Sequence, residues 1–79
     1  MTEFEIDAVY NTICRPGRVV KILTKNGKEE NIPVRVWKRW TIVEAYEHHV
    51  LMQSEMGYHE SFSNTDIREM IRKGEIRWR

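Results

Sequence analysis

The run from Val34 to Trp40 alternates as a β-strand requires, and it constrains the fold more than any other stretch of the chain. Successive side chains on a strand point to opposite faces. Val34 and Val36 therefore share one face with Trp40, and we expect that face to meet a core. The opposite face has three large side chains, Arg35, Trp37 and Arg39. Tryptophan and arginine are typical of contact surfaces, so this face is predicted to bind something.

The length of the chain predicts a single domain spanning residues 1–79. Its apolar content of 41% is too high for a disordered protein, and its net charge of +1 argues against a surface that grips nucleic acid everywhere. A local basic patch remains compatible with that charge. The one cysteine, Cys14, cannot form an internal disulfide, and we find no leader or membrane-crossing run, so we expect a cytoplasmic protein.

Residues 2–14 fit two patterns. Ile6, Val9, Tyr10 and Ile13 fall on one face of a helix, and Thr2 with Glu5 has the spacing of a capping box. The alternation of residues 4, 6, 8 and 10 is instead compatible with a strand. We favour the helix, because the sequence 15–17 that follows contains a proline and a glycine and is typical of a helix end.

Two strands are predicted next, joined by a tight turn. Residues 18–24 are rich in β-branched side chains, and Asn26-Gly27 is typical of a two-residue hairpin turn. The chain would return from Ile32 to Trp37. Pro33 has no amide to donate, so its end of the return strand is predicted to lie at an edge or a bulge.

The second half predicts a hairpin, a helix and a last strand. Residues 41–53 are rich in β-formers, Gly57 favours a turn, and residues 58–62 would return. A helix is predicted over about 64–73, with Ser63 as its N-cap and Gly74 after its end. Residues 76–78 would form the last strand. The sequence therefore predicts a mainly β, α+β domain in the order helix, four strands, short helix, strand.

This order resembles the small five-stranded barrels of the Sm and SH3 kind, and it is most similar to the bacterial Sm-like proteins of the Hfq family. The residues concerned are the Asn26-Gly27 hairpin and the stretch 44–51 leading into a strand that ends at Phe62. The resemblance covers about half of the chain and implies a five-stranded barrel. Where that family has a Lys-His pair that contacts RNA, this chain has Ser63-Asn64. In size the chain also resembles small accessory or inhibitor proteins of bacterial viruses.

Catalytic and metal chemistry are not predicted. His48 and His49 point to opposite faces of a regular strand, and closing the hairpin at Gly57 leaves His59 about 13 Å away along the sheet. Zinc needs its ligand atoms within about 2.1 Å of one point, so these histidines could bind zinc only at a site shared between subunits. Cys14 follows an apolar helical face, where a buried thiol without a catalytic base is expected. We predict no enzyme, no cofactor and no metal site.

The predicted partner-binding residues are Arg35, Trp37, Lys38 and Arg39. An equally weighted alternative is that Trp37 packs in a second apolar layer, with arginine stems lying over it. A second basic edge is predicted at Arg68, Arg72, Lys73 and Arg77, although solubility would also explain these cations.

Three functions follow from the sequence. The first is a non-catalytic module that binds or inhibits a larger protein partner. The second is an RNA- or single-stranded-DNA-binding barrel, in which Trp37 stacks on a base. The third is a self-assembling protein that forms a dimer or a higher oligomer through edge strands such as residues 76–78. The near-neutral charge favours the first.

Overall fold

The computed structural model describes residues 1–29 and 32–78, with side chains described at 1–24 and 35–78. Within this part of the chain, five strands form one antiparallel sheet in the order β4-β3-β2-β1-β5, and two helices accompany it. The elements in chain order are α1 Glu3–Ile13, β1 Val19–Glu29, β2 Ile32–Ala45, β3 His49–Ser54, β4 His59–Ser63, α2 Asn64–Lys73 and β5 Ile76–Arg77. The predicted α+β class and the element order are confirmed.

The predicted barrel is not confirmed. In a closed barrel the two outer strands would pair, whereas β4 and β5 form the two edges of an open sheet in the described residues. The ten residues of α2 connect them, and its Ile67 and Ile71 are buried in the core. The helix α2 therefore covers one face of the open sheet with its buried isoleucines.

The N-terminal segment is a helix, as favoured. Thr2 accepts a hydrogen bond from the Glu5 amide through its side chain, and the Glu5 carboxylate accepts one from the Thr2 amide, which completes the capping box. Ile6 and Ile13 are fully buried, while Phe4 is 82% exposed. The strand alternative would have placed Phe4 and Ile6 on the same face, so the helical period explains the burial and the alternation does not.

The predicted turn at Asn26-Gly27 is wrong. The β1–β2 ladder continues through the pair Asn26–Val34 to the pair Glu29–Ile32, so both turn candidates lie inside β1. The register shifts between Asn26 and Lys28, which places Gly27 at a bulge, another common position for glycine in a strand. Pro33 pairs with Lys28 next to this irregularity, as expected for a residue without an amide.

The boundary between the second and third strands also differs from the prediction. We expected the return strand to end near Trp37 and the next to begin at Thr41, but β2 continues without a break to Ala45. The chain reverses at residues 46–48, where the Tyr46 amide donates to the His49 carbonyl over 2.8 Å. These residues include no glycine, proline or asparagine, so no local signal marked the turn.

The remaining elements are confirmed. Gly57 adopts a positive φ of 92° in the β3–β4 turn, where the Ser54 amide donates to the Tyr58 carbonyl. The Ser63 side chain caps α2 by accepting from the Asp66 amide, and Gly74 ends the helix in the left-handed region. The last strand is short and pairs with β1. Neither described helix has the length and apolar character that crossing a bilayer requires.

The core lies between the helices and one face of the sheet. Alternate residues of the strands, among them Val20, Ile22, Ile42 and Met52, are buried with the isoleucines of both helices. The odd-numbered residues of β1 therefore point away from the helices, to what we call the open face. This face contains Lys21 and Leu23 of β1, Arg35, Trp37 and Arg39 of β2, and Arg77 of β5.

Candidate functional site

A row of three cations crosses the open face. Lys21 of β1 is paired with Arg39 of β2 on one side and with Arg77 of β5 on the other. Cβ atoms of directly paired residues lie about 5 Å apart, and like charges at that spacing repel one another. This repulsion is partly offset, because Arg39 also pairs with Glu55 and Arg77 lies over the Trp37 ring.

Trp37 lies beside this row and is half-buried. It is paired with Leu23 on β1, and the Arg77 guanidinium lies over its ring, 4.1 Å from the centroid. A cation over an indole is attracted by the ring and contributes about 0.5–1 kcal/mol at exposed sites. The ring is thus neither in the core nor free, and one of its faces already has a stacking partner.

A second set of contacts to β2 and β1 comes from Glu75, the residue before β5. The Glu75 carboxylate accepts from the Arg35 guanidinium over 2.9 Å, and the Glu75 carbonyl accepts from the Leu23 amide. Glu75 and Arg77 thus reach across β1 to the two β2 residues Arg35 and Trp37. These contacts fix the orientation of the predicted contact row on the open face.

A groove of about 450 Å³ lies next to Trp37, at the point where β3 ends and β2 continues. The last β2–β3 pair is Trp40–Ser54, after which the chain turns away through residues 55–58. The turn contributes two exposed apolar side chains, Met56 (82% exposed) and Tyr58 (67%). The groove lining consists of Lys21, Trp37, Lys38, Arg39, Trp40, Ser54, Glu55, Met56 and Tyr58.

The floor of the groove includes Trp40, whose ring belongs to the core. It is 7% exposed and packs edge-on against Phe62, with the ring centroids 5.2 Å apart. Its buried indole Nε1 has no hydrogen-bond partner among the described residues. A buried donor left unpaired costs about 1–3 kcal/mol, so this position is also suboptimal for the isolated fold.

The charge of the groove is positive. Its lining has three cations, Lys21, Lys38 and Arg39, and one carboxylate, Glu55, which forms an ion pair with Arg39 at 3.5 Å. No described acidic side chain lies within ion-pair distance of Lys21 or Lys38. An occupant with carboxylates would therefore complete the electrostatics of this site.

The four predicted contact residues are brought together in part. Arg35, Trp37 and Arg39 share the open face as expected, whereas Lys38 has the parity of Trp40 and reaches the groove around the β2 edge. The sequence interpretation missed Lys21, Met56 and Tyr58. The two turn residues come beside Trp40 through the β2–β3 register, and no local signal in the sequence indicated that register.

Each cation of the predicted second basic edge contacts a described partner. Arg68 forms an ion pair with Asp7 of α1, and its guanidinium lies 4.6 Å from the centre of the Tyr10 ring. Arg72 pairs with Glu3 and Glu69, and Lys73 also pairs with Glu69. These cations hold the two helices together or pair within α2, and Arg77 lies on the open face instead.

The residues considered for chemistry lie apart from the groove. His59 is paired with Gln53 and His49 with Ser63, so the two histidines are separated by four residues of β4, about 13 Å. No three candidate metal ligands come together in the part of the chain that the structure describes. Burial raises the pKa of the Cys14 thiol to about 11, so the thiol is protonated at neutral pH.

The fold and the groove define a small α+β domain whose five-stranded antiparallel sheet is covered by helices on one face and open on the other. No family model, curated protein or solved structure matches the chain.

Proposed function

We propose that the protein is a non-catalytic binding domain that engages, and by engaging inhibits or regulates, a larger protein partner through the groove and the adjoining open face. The observation that supports this most is the composition of the groove. Tryptophan, tyrosine, methionine and arginine are the residue types enriched in protein interfaces, and all four line it. The groove adds an apolar floor to the Arg-Trp row, which gives an anchor residue of the partner a place to be buried.

One unfavourable feature of the isolated domain supports the same proposal. The row of Lys21, Arg39 and Arg77 brings like charges together. A partner that supplies carboxylates would relieve this repulsion. In protein interfaces a few residues contribute most of the binding energy, and charges on one partner face opposite charges on the other.

Nucleic-acid binding is the second candidate, and the row of three cations is what favours it. Stacking of a base on Trp37 would compete with the Arg77 guanidinium, which already lies 4.1 Å from the ring centroid. Protein binding needs no such displacement.

Affinity capture tests the protein-binding proposal. The wild-type protein, Tyr58→Ala and Phe4→Ala are immobilised and exposed to nuclease-treated lysate of the source cells. Tyr58 lines the groove and Phe4 lies on α1, and both aromatic rings are exposed, so the two truncations are matched in size and in their small effect on folding. We expect Tyr58→Ala to weaken capture of a specific protein by about 30-fold, the effect of one interface hot spot, and Phe4→Ala to leave it unchanged. Equal capture by both variants contradicts the proposal.

A salt titration separates the second candidate from the first. Binding of a fluorescein-labelled oligothymidylate is measured by fluorescence anisotropy between about 50 and 200 mM salt, because phosphate contacts weaken strongly over this range. Three phosphate contacts predict that log affinity falls against log salt with a slope of about −2. Under the protein-binding proposal we expect no saturable binding of the oligonucleotide. Saturable binding with that slope, abolished in Lys21→Ala, would favour the nucleic-acid function instead.

A further inference from the structure

The long second strand has an edge that no described strand covers. β2 pairs with β3 only over Trp40–Ala45, because β3 ends at Ser54. Outward of Trp40, β1 is the only described strand that pairs with β2. Residues 35–39 therefore have one edge bonded to β1 and the other open to the groove, over a length of about 17 Å.

The backbone groups on this edge can be assigned from the hydrogen bonds further along β2. The Ile42 amide donates to the Arg18 carbonyl, and the Ile42 carbonyl accepts from the Gly17 amide, both toward the β1 side of the strand. Alternate residues of a strand direct their amides to the same side, and the β1–β2 register is continuous from Thr41 to Val34. The amide and carbonyl groups of Arg35 and Trp37 consequently point away from β1, toward the open edge.

Exposed edge groups of this kind are a template for another strand, and proteins usually blunt them with charge, proline or short length. The Arg35 and Arg39 side chains belong to the open face, where Arg35 pairs with Glu75 and Arg39 pairs with Glu55. The groove extends along the edge at residues 37–39, with Met56 and Tyr58 at the end where β3 stops. Shape, backbone hydrogen-bonding groups and positive charge thus coincide at one place.

We propose that an extended, acidic segment of the partner adds to the sheet as a strand along β2, in line with β3. Its backbone pairs with Arg35 and Trp37, and its carboxylates lie on the open face with Lys21 and Arg39. In this mode the main-chain hydrogen bonds give affinity and alternate side chains give specificity. The inference rests on the proposed function and adds to it the conformation and the charge of the bound segment.

Amide hydrogen exchange observed by NMR tests the inference. The probe is an acetylated and amidated heptapeptide in which glutamates alternate with valines. In the free protein we expect the Arg35 and Trp37 amides to exchange freely and the Val36 amide, bonded to β1, to be protected. At saturating peptide, exchange at Arg35 and Trp37 should slow by about tenfold or more. A peptide with lysines in place of the glutamates should not bind, and one with N-methyl groups on alternate amides should bind at least about tenfold more weakly.

A matched pair of variants tests the same contact from the protein side. Arg35→Pro removes an amide that points to the open edge, so the β1 ladder stays intact, whereas Arg35→Ala removes the side chain and its ion pair with Glu75 but keeps the amide. We expect Arg35→Pro to bind the glutamate peptide about tenfold more weakly than Arg35→Ala, which equals about 1.4 kcal/mol. Equal affinities of the two variants, both cooperatively folded by circular dichroism, overturn the inference.

The remaining outcomes separate this inference from the proposed function. If the peptide binds, is weakened by Tyr58→Ala and leaves the Trp37 amide unprotected, the groove binds protein by side chains and strand addition is wrong. If neither peptide binds while the lysate partner still distinguishes Tyr58→Ala from Phe4→Ala, the acidic strand is wrong and the proposed function stands. If the Arg35 and Trp37 amides are protected without peptide and in proportion to protein concentration, the occupant is a second copy and the inference is overturned.

Discussion

Trp40 shows how one side chain serves the core and the groove at once. Its ring packs against Phe62 on the helix-covered side of the sheet, and its unpaired Nε1 makes it an imperfect core residue. Replacing it by phenylalanine would remove the unpaired donor together with part of the ring volume. The two effects have opposite signs in the free energy of unfolding and similar sizes.

We expect Trp40→Phe to change the free energy of unfolding by less than about 1 kcal/mol, and Trp40→Ala to lower it by about 3–5 kcal/mol. Urea denaturation followed by circular dichroism measures both. Destabilisation of Trp40→Phe as large as that of Trp40→Ala would show that the indole donor is satisfied or that ring volume dominates.

Cys14 gives a pH prediction at the same scale. Burial raises its pKa to about 11, and the Tyr10 hydroxyl acts in the opposite direction by hydrogen bonding to the thiolate. The unfolded thiol titrates near 9, so the folded state binds the proton more tightly. The stability due to the buried thiol is then fully present below about pH 9 and is lost as the pH rises through about 11.

We expect the native protein to react with a disulfide reagent at a rate that keeps rising up to about pH 11, because only the thiolate attacks. Tyr10→Phe should move this profile to higher pH, since it removes the hydrogen bond that lowers the pKa. A rate that levels off near pH 9 would mean that the thiol is solvated in the folded state.

At the scale of elements, the helices were predictable because their ends are local. The Thr2–Glu5 capping box, the Ser63 cap and the left-handed Gly74 each depend on neighbours within a few residues. The strand boundaries were not. The Asn26-Gly27 pair is a bulge rather than a turn, and the reversal at residues 46–48 has no turn residue, because pairing over many residues decided both.

The Ser63 cap allows a direct test of one element. We expect Ser63→Ala to lower the free energy of unfolding by about 1 kcal/mol, because the Asp66 amide loses its acceptor. Thr65→Ala, an exposed position in the first turn of the same helix, should change it by less than about 0.5 kcal/mol. Thermal or urea unfolding of both variants gives the comparison. Similar losses in the two would contradict the role of the Ser63 hydroxyl.

At the scale of the whole molecule, stability is unevenly distributed. Strands β1 and β2 are 11 and 14 residues long, and in the described part of the chain a third strand pairs with β2 only over Trp40–Ala45 and with β1 only at Lys21 and Ile22. Thr24 and Val36 therefore belong to a two-stranded arm, and an isolated hairpin is marginally stable. The groove lies next to the place where this arm leaves the rest of the sheet.

We expect amides bonded within this arm, such as those of Thr24 and Val36, to exchange at least about tenfold faster than those of the core residues Val20 and Ile42. Hydrogen exchange measured by NMR on the free protein checks this. Uniform protection along β1 and β2 would show that the arm and the body unfold as one unit, or that a second copy covers the arm.

Like the fold, the candidate site could be predicted from the sequence only in part. Strand alternation alone placed Arg35, Trp37 and Arg39 on one face, because a side-chain period of two is a property of the local backbone. The sequence also determined the α+β class, the order of elements and both helices. The groove was decided by tertiary structure. Lys21 and Tyr58 are 37 residues apart along the chain (58 − 21), and they line one groove with Trp37 and Met56 only through the β1–β2 and β2–β3 registers.

The open form of the sheet was likewise a tertiary decision. The strands that a barrel would pair, β4 and β5, are each compatible with an edge or an interior position, and nothing local distinguishes the two. The outcome depended on where Ile67 and Ile71 could be buried, and they pack over the sheet rather than beside it. Hydrophobic burial is non-directional, so the pattern of apolar residues fixed which side chains enter the core, and only the packing of α2 against the sheet decided its shape.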